Sequence, residues 1–261
     1  MSEIFGGSYS GYYDLFYQDK NYSAEAQYVH ALIRAHLADG PKAKHALNIL
    51  ELGCGTGRHA EWFMDEGHVV VGIDQSEHMV NLARSRLGDR GRSRFCCSEI
   101  AGLNLDERFD AVFSLFHVLS YQVTNEALLG MLNAASAHLD PGGVLVCDFW
   151  HAPGVSKDPP SCRIKRVENG DIRVTRIAEP SMNWEKGVAN INYDVLIEDK
   201  KTGGLQRELE MHPMRFFSAN ELDLACRLSG LRMRACVGWM SFDRAASEQD
   251  WYGVLVAVKP N

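Results

Sequence analysis

The chain has 261 residues, of which 46% are hydrophobic and 23% are charged, and its formal net charge is −7. This composition is ordinary for a globular protein, and the length suits one large α/β domain with an addition or two small domains. A negative chain without a basic tail argues against nucleic acid as partner, and no apolar run reaches the length of a membrane span. Seven cysteines without metal-ligand spacing predict reduced thiols in a cytoplasmic protein and no bound metal.

The first half of the chain alternates strand-like and helix-like runs. Residues 1–22 are rich in tyrosine and phenylalanine, and Ser23 is predicted to cap a helix that ends near Leu37. The predicted strands are then 48–53, 69–73, 93–97, 109–115 and 143–149, and the predicted helices are 57–66, 76–87 and 125–139. This order predicts an α/β fold with a doubly wound parallel sheet, whose ligand crevice lies at the carboxyl ends of the strands.

The pattern changes after Trp150, where a linker rich in proline is predicted over 151–160. Four β-like runs joined by turn sequences predict an antiparallel patch; they are 162–167, 172–178, 188–197 and 205–217. A helix over 219–228, capped by Ser218, and strands over 231–240 and 251–258 complete the chain. We therefore expect an N-terminal aromatic segment, a core, an antiparallel β insert and a closing unit, at 1–40, 41–152, 153–217 and 218–261.

A glycine-rich run follows the first strand of the core and reads Glu51-Leu52-Gly53-Cys54-Gly55-Thr56-Gly57. Glycines at this spacing let the backbone turn tightly and approach a ligand where a Cβ would collide. Asp74 ends the next strand, where a carboxylate is placed to accept hydrogen bonds from two ribose hydroxyls. The two features together predict a site for a cofactor that contains adenosine.

Glu51 and the glycine spacing indicate which cofactor this is. A dinucleotide site needs G-x-G-x-x-G and a phosphate-binding loop needs a lysine, and the run contains neither. The Glu51 carboxylate would repel a phosphate and suits a cofactor with a positive amino group. Glu99 follows the third strand and is placed to accept a hydrogen bond from an adenine amino group, while the Ile100 backbone N–H reaches a ring nitrogen.

The fourth strand of the core runs into Leu115-Phe116-His117 and delivers His117 to the crevice. Because an unperturbed imidazole titrates near pH ~6.5, His117 is a candidate proton acceptor. A histidine beside a sheet is also often a structural hydrogen-bonding group, so both interpretations stay open. Tyr121, one helical turn later, is expected in the wall of the same pocket.

Taken together, these motifs resemble those of the class I S-adenosylmethionine-dependent methyltransferases. The resemblance spans roughly residues 45–150 and rests on residues 51–57, Asp74, Glu99, residues 109–117 and the turn at 139–143. It implies a seven-stranded Rossmann-like sheet with the strand order 3-2-1-4-5-7-6, in which strand 7 is antiparallel. The tyrosine-rich start and the β-rich insert narrow the resemblance to N-methyltransferases of nucleotide-linked amino sugars and related small-molecule enzymes.

The resemblance implies S-adenosyl-L-methionine as cofactor and a small molecule as methyl acceptor, with the amino group of a nucleotide-linked sugar as the first choice. The residues expected to bind the cofactor are Tyr22, Glu51, Gly53, Gly55, Gly57, Asp74, Gln75, Met79, Glu99, Ile100 and Leu115. The residues expected in catalysis are His117, Tyr13 and Tyr121. The residues expected to bind the acceptor are Tyr17, Trp150, Arg166 and Arg176.

Several of these assignments keep a structural alternative. The N-terminal tyrosines are expected to form a lid that excludes water, although they would also serve to attach the first helix to the body. The basic hairpin residues are either a solvated strand face or a grip on a pyrophosphate. An O-methyltransferase and a non-catalytic S-adenosylmethionine-binding module remain alternatives, whereas an NAD-dependent oxidoreductase and a nucleic-acid methyltransferase are disfavoured. A homodimer is left open.

Overall fold

The computed structural model describes residues 12, 14–37, 46–88 and 90–261. The strands are β1 Asn48–Leu52, β2 Val69–Asp74, β3 Arg94–Cys97, β4 Phe109–Ser114, β5 Leu139–His151, β6 Arg163–Glu168, β7 Ile172–Asn183, β8 Val188–Asp199, β9 Leu205–Phe217, β10 Arg232–Gly238 and β11 Tyr252–Val258. The helices are α1 Tyr22–His36, α2 Arg58–Asp65, α3 Glu77–Leu87, α4 Asn125–His138, α5 Ala152–Lys157 and α6 Ala219–Leu228, with a 3₁₀ turn at Val118–Tyr121. In this part of the chain, no helix is both long and apolar enough to cross a membrane.

Seven strands form the core sheet in the order β3-β2-β1-β4-β5-β11-β10. The first five are parallel, whereas β11 runs antiparallel to β5 from the Tyr252–Trp150 pair to the Val258–Val144 pair. This arrangement confirms the predicted α/β fold and the strand order 3-2-1-4-5-7-6. It also brings the carboxyl ends of the five parallel strands to one edge, where a ligand crevice is expected.

Buried apolar side chains cover both faces of the core sheet, because successive strand residues point to opposite sides. Ile49 of β1 packs in the cluster that contains Phe63 of α2, and its neighbour Leu50 packs in the cluster that contains Leu132 of α4 and Leu222 of α6. All five side chains are fully buried. The sheet is therefore rigidly enclosed, and its carboxyl edge is a fixed base for a site.

The antiparallel insert consists of β6, β7, β8 and β9, paired in chain order as predicted. It is joined to the core sheet where β9 runs parallel to the end of β5, at the Trp150–Phe216 and His151–Phe217 pairs. Because this junction lies at the carboxyl end of β5, the insert is attached at the same edge of the sheet as the predicted crevice.

Three local features differ from the sequence-based expectations. The helix α1 is capped by Asn21, whose Oδ1 accepts a hydrogen bond from Ala24 N at 3.0 Å, so the predicted cap at Ser23 was wrong. The predicted linker contains α5, which has a proline in its first turn, a position that needs no N–H donor. The strand β5 begins as early as Leu139, which pairs with Phe109 of β4, and Gly142 N donates to Lys259 O at 2.8 Å.

Candidate active site

A cleft of about 1400 Å³ lies between the carboxyl edge of the core sheet and the insert. The core contributes Gly53 and Asp74, and the insert contributes Arg176, Tyr193 and His212. Tyr17 and His117 also line it. The cleft is larger than the 300–1,000 Å³ or so that is typical of a pocket for one small ligand. It therefore has room for a cofactor and an acceptor together.

The glycine loop is shaped by backbone that only glycine adopts easily. Gly53, Gly55 and Gly57 have φ values of 78°, 51° and 77°, all in the left-handed region. A Cβ on Gly53 would lie 2.5 Å from a methyl group of Val118, so the loop can pack against the turn after β4 only with glycine there. The run between β1 and α2 is thus built for a close approach of backbone to whatever occupies the cleft.

Asp74 organises this loop as well as facing the cleft. Its carboxylate accepts hydrogen bonds from Gly55 N at 2.8 Å and from Ser76 N at 2.9 Å. Burial raises the pKa of Asp74, although the hydrogen bonds from the backbone oppose the shift. The carboxylate that was predicted to bind the ribose therefore lies beside the glycine loop. One of its oxygens accepts a hydrogen bond from the loop and the other accepts one from the residue that precedes α3.

Most residues predicted to bind the cofactor line this cleft; they are Gly53, Gly55, Asp74, Gln75, Met79, Glu99 and Ile100. The other predicted residues lie elsewhere. Leu115 is a core residue with 2% exposure, and Gly57 begins α2 against Leu87 and Ala83. Tyr22 lines a smaller pocket of about 380 Å³. Tyr13, predicted in catalysis, lies outside the described residues.

Glu51 is buried in β1, with 1% exposure. Its Oε1 lies 3.9 Å from His59 Nδ1, and its Oε2 has no hydrogen-bond partner among the residues that the structure describes. Burial, with a further contribution from the Asp74 charge, raises the pKa of Glu51 well above its ordinary value. An unpartnered buried carboxylate costs stability, which is consistent with a group that awaits a ligand.

Glu51→Gln is expected to stabilise the ligand-free protein at pH 8 by about 1–2 kcal/mol, which corresponds to a rise in Tm of roughly 2–8 °C. A group with a raised folded-state pKa contributes stability below its ordinary pKa and loses that contribution as the pH rises through the folded-state value. The gain should therefore be smaller at pH 5, as measured by calorimetric unfolding. Glu185→Gln, at an exposed position, is the control and should change neither Tm nor its pH dependence. An equal gain at both pH values would contradict the role of ionisation.

His117 is held against Asp148, a buried residue of β5. His117 N donates to Asp148 Oδ1 at 2.8 Å, and His117 Nδ1 lies 2.9 Å from Asp148 Oδ2. Phe116 and His117 both have positive φ, at 68° and 65°, and the His117 ring stacks on Tyr252 with 4.4 Å between centroids. Backbone in this sparsely populated region is the kind of local strain that collects at functional sites.

The charge of Asp148 is stabilised by this arrangement. Burial alone would raise the pKa of Asp148, but the His117 ring and backbone N–H lower it below its ordinary value. The carboxylate thus fixes the orientation of the imidazole and supports a positive charge on it. In such a pair the imidazole Nε2 is the nitrogen left to handle a proton in the cleft.

The N-terminal segment closes one side of the cleft. Asp14 accepts a hydrogen bond from Thr56 Oγ1 of the glycine loop at 3.1 Å and pairs with Arg86 of α3. Phe16 packs in the apolar cluster of Met79, and the Tyr17 ring meets the Phe116 ring edge-on at 4.8 Å. These contacts place residues 14–17 beside both the loop and the turn that carries His117, and they are compatible with a lid as well as with simple attachment to the body.

The basic residues of the insert have different surroundings from those expected. Arg176 lies between the rings of Phe16 and Tyr193, at 4.5 Å and 4.6 Å from their centroids, and donates to Tyr17 Oη at 3.3 Å. It lines the cleft, but it also holds the N-terminal segment in place. Arg166 is exposed and does not line the cleft, whereas Arg163 does.

Two further residues of the cleft wall were predicted from the sequence. Tyr121 Oη lies 2.7 Å from His212 Nδ1, and Trp150 is mostly buried against Trp251, with 4.6 Å between ring centroids. Asp148 and His212 were missed, and Arg163 belongs to the predicted basic hairpin but was not among the residues expected to bind the acceptor. His212 shares the buried parity of β9 with Met214 and Phe216, so strand alternation was the one signal that pointed to it.

Comparisons with known proteins show what this chain is similar to. A sequence family described as a methyltransferase domain matches residues 49–143. The chain is 28% identical over 228 residues to a dTDP-3-amino-3,4,6-trideoxy-alpha-D-glucopyranose N,N-dimethyltransferase of Streptomyces venezuelae, which covers 87% of this chain and 91% of that protein. The structure resembles that of DesVI from Streptomyces venezuelae, with a TM-score of 0.77, 25% identity, and 97% and 98% of the two chains covered. It also resembles CalS10, an amino pentose methyltransferase from Micromonospora echinaspora bound to S-adenosylmethionine, with a TM-score of 0.72, 25% identity, and 99% of each chain covered.

Proposed function

We propose that this chain, which belongs to the class I S-adenosylmethionine-dependent methyltransferases, methylates the amino group of a nucleotide-linked sugar. The observation that carries the proposal is one continuous cleft that joins the glycine loop and Asp74 to the His117–Asp148 pair and the inner face of the insert. Such a cleft holds a cofactor and an acceptor side by side. Proximity and orientation then account for most of the rate acceleration.

The residues at the carboxyl edge fit S-adenosylmethionine. Gly53 and Gly55 leave room for close backbone contact, and Asp74 and Glu99 offer acceptors for ribose hydroxyls and an adenine amino group. The unpartnered Oε2 of Glu51 offers an acceptor beside the loop, and a bound cationic amino group would favour the ionised form of this carboxyl. When bound, S-adenosylmethionine supplies a methyl group on a sulfonium, which a neutral amine attacks without further activation.

His117 handles the proton that this reaction releases. Methylation of a neutral amine leaves an ammonium, and His117 Nε2 accepts its proton while Asp148 supports the resulting imidazolium. The stacked Tyr252 ring and the N-terminal segment keep the imidazole in place and exclude water. The proton then leaves with solvent.

The acceptor class is supported by the character of the insert and by the relatives. Arg163 is exposed in the cleft wall, where a guanidinium can hold a diphosphate in bidentate fashion. It takes the place that was predicted for Arg166. The Streptomyces venezuelae relative is named for a dTDP-linked amino sugar, and CalS10 is named for an amino pentose. A small molecule of this kind, rather than a nucleic acid, suits a chain with a net charge of −7.

A direct assay tests the proposal. Purified protein is incubated with S-adenosylmethionine and a panel of dTDP- and UDP-linked amino sugars, and products are followed by mass spectrometry together with release of S-adenosylhomocysteine. We expect a mass increase of one or two methylene units on at least one amino sugar and none on its hydroxyl counterpart. Preferential methylation of the hydroxyl counterparts would instead favour an O-methyltransferase. Binding of S-adenosylhomocysteine without turnover of any panel member would favour the non-catalytic alternative.

We propose that the enzyme works in the cytoplasm, because its seven cysteines are free thiols.

We also propose that two copies of the chain form a homodimer through the outer face of the insert. Leu205, Leu209 and Met211 lie on one face of β9 and are 66%, 64% and 53% exposed, and exposed apolar patches of this kind mark protein–protein interaction sites. Light scattering after gel filtration should give a dimer that Leu209→Glu converts to a monomer. Leu228→Glu, at an equally exposed position on α6, is the matched control. A monomeric wild-type protein would contradict the proposal.

A further inference from the structure

A chain of ionisable side chains leads from the strand before the glycine loop into helix α1. Glu51 Oε1 lies 3.9 Å from His59 Nδ1 of α2, and His59 Nε2 lies 2.8 Å from Glu25 Oε2 of α1. Glu25 Oε1 in turn pairs with Lys20 Nζ at 2.5 Å. The exposed fraction of these side chains rises along the chain, from 1% at Glu51 to 19% at Lys20. The proton transfer proposed at His117 does not use any of them.

Glu25 fixes which nitrogen of His59 carries a hydrogen. Burial alone would raise the pKa of Glu25, but the hydrogen bonds and charges of His59 and Lys20 lower it below its ordinary value. This carboxylate is therefore ionised at neutral pH, and because it can only accept, His59 Nε2 donates to it. Burial lowers the pKa of His59, although Glu25 opposes the shift. In the neutral ring, Nδ1 then presents a lone pair toward Glu51.

Glu51 and His59 face each other in a way that favours one proton between them. Two acceptors at this distance repel, so a neutral His59 favours the protonated form of Glu51. Burial and the charge of Asp74 act in the same direction, because both raise the pKa of Glu51. Cys54, a further ionisable neighbour, stays a neutral thiol, since burial raises its pKa well above the ordinary value. The ligand-free protein therefore holds Glu51 as a carboxylic acid.

We propose that His59 is a positioning residue of the cofactor site, which takes up the proton of Glu51 when a cationic amino group binds this carboxyl. The inference rests on the proposed function, because it requires S-adenosylmethionine to bind beside the glycine loop. The O–H bond of Glu51 breaks and an N–H bond forms at His59 Nδ1, so the protein neither gains nor loses a proton. The imidazolium donates to Glu25 from Nε2, and the charge of Asp148 also favours it.

This transfer lets a buried carboxyl bind a cation at neutral pH. An ionised and unpartnered Glu51 would destabilise the ligand-free protein, whereas a proton released to solvent would make binding depend on pH. His59 avoids both consequences, because the proton stays within the protein. Lys20 also faces Glu25 and opposes a charge on His59, so we expect the imidazolium only when Glu51 is ionised.

Nitrogen chemical shifts of ¹⁵N-labelled histidine test the transfer without turnover. His59, assigned from the His59→Gln spectrum, should be the neutral Nε2–H tautomer at pH 7.5 in the ligand-free protein. Saturating S-adenosylhomocysteine, which carries the cationic amino group, should convert it to an imidazolium, and methylthioadenosine, which lacks that group, should not. His138 is the internal control, because its Nε2 accepts from Leu105 N at 2.9 Å away from this chain, and neither ligand should change its protonation. A neutral His59 in the S-adenosylhomocysteine complex would overturn the proposal, as would an imidazolium in the ligand-free protein.

Titration calorimetry counts the protons that binding releases. For the wild-type protein at pH 7.5, the enthalpy of S-adenosylhomocysteine binding should be equal in buffers of different ionisation enthalpy. His59→Gln keeps a donor for Glu25 but cannot take up a proton, so about one proton should be released and the affinity should fall about tenfold. The affinity of this variant should then rise by up to about tenfold per pH unit. His78→Gln, at an exposed position of α3, is the control and should behave like the wild-type protein.

The calorimetric outcomes separate this proposal from the proposed function. Release of a proton by the wild-type protein would mean that His59 does not take it up, and no release in His59→Gln would mean that Glu51 does not ionise on binding. Either result overturns the proposal. Glu51→Gln should bind S-adenosylhomocysteine more weakly and leave His59 neutral, and an imidazolium in that complex would also contradict it. If the wild-type protein binds neither S-adenosylhomocysteine nor methylthioadenosine, the proposed function fails separately.

Discussion

Asp74→Ala is expected to weaken binding of S-adenosylhomocysteine by about 100-fold or more, as measured by titration calorimetry. Asp74 accepts hydrogen bonds from Gly55 N and Ser76 N, and in the proposed complex it also accepts from the ribose. Hydrogen bonds to a charged acceptor contribute about 1.5–3 kcal/mol each, and each 1.4 kcal/mol is tenfold in affinity. Alanine removes the ribose contact and the anchor of the glycine loop at once.

Asp74→Asn separates these two effects. The amide keeps one acceptor oxygen for the loop but loses the charge. We therefore expect an affinity for S-adenosylhomocysteine between those of the wild-type protein and Asp74→Ala. Asp110→Asn is the matched control, since Asp110 is a buried carboxylate that accepts from Asn48 N at 2.9 Å at the other end of the sheet. Unaltered affinity in Asp74→Ala would reject the assignment of this residue to the cofactor.

The core of the site was predictable because its residues follow strands in the sequence. Gly53, Asp74 and Glu99 each stand directly after an apolar run, and parallel strands bring their carboxyl ends to one edge. Local pattern and general topology therefore place them together without any knowledge of side-chain packing. The same reasoning placed His117 in the cleft.

The residues that the sequence did not reveal act through long-range pairing. Asp148 is one polar residue in a buried strand, and its importance arises only because the tight turn at Phe116 and His117 points the imidazole at it. His212 and Tyr121 are 91 positions apart and meet because β9 joins the end of β5. Strand alternation narrows the choice of face, but register and turn geometry decide which side chains touch.

The basic hairpin shows how tertiary packing changes the meaning of a charged run. The sequence offered either a solvated face or a phosphate grip for these residues. Arg176 instead packs between Phe16 and Tyr193, and Lys165 Nζ donates to Phe16 O at 2.5 Å. Two of the predicted cations thus attach the N-terminal segment to the insert. Arg163 also lines the cleft, and it makes no such ring contact in the described residues.

His117→Ala is expected to lower kcat by about 100-fold at neutral pH, with S-adenosylhomocysteine affinity within about twofold of wild type. General-base catalysis by a positioned side chain contributes about 10²–10⁴-fold to the rate. We expect the lower end of this range, because an amine is already a good nucleophile and needs help only to lose its proton. Near-normal turnover across the pH range would make His117 a bystander.

Asp148→Asn tests whether the two residues act as a unit. The amide oxygen can still accept from His117 N, but a neutral side chain does not support a positive charge on the ring. We expect a loss in kcat of about 10–100-fold, and we expect the double variant with His117→Ala to be no slower than His117→Ala alone. Additive losses would mean that Asp148 only stabilises the turn.

Because the pKa of Asp148 is lowered in the folded protein, its contribution to stability is present above the ordinary carboxyl pKa and is lost as the pH falls through the folded-state value. The unfolding free energy of Asp148→Asn should therefore depend less on pH in the acid range than that of wild type, whereas Asp110→Asn should leave kcat unchanged.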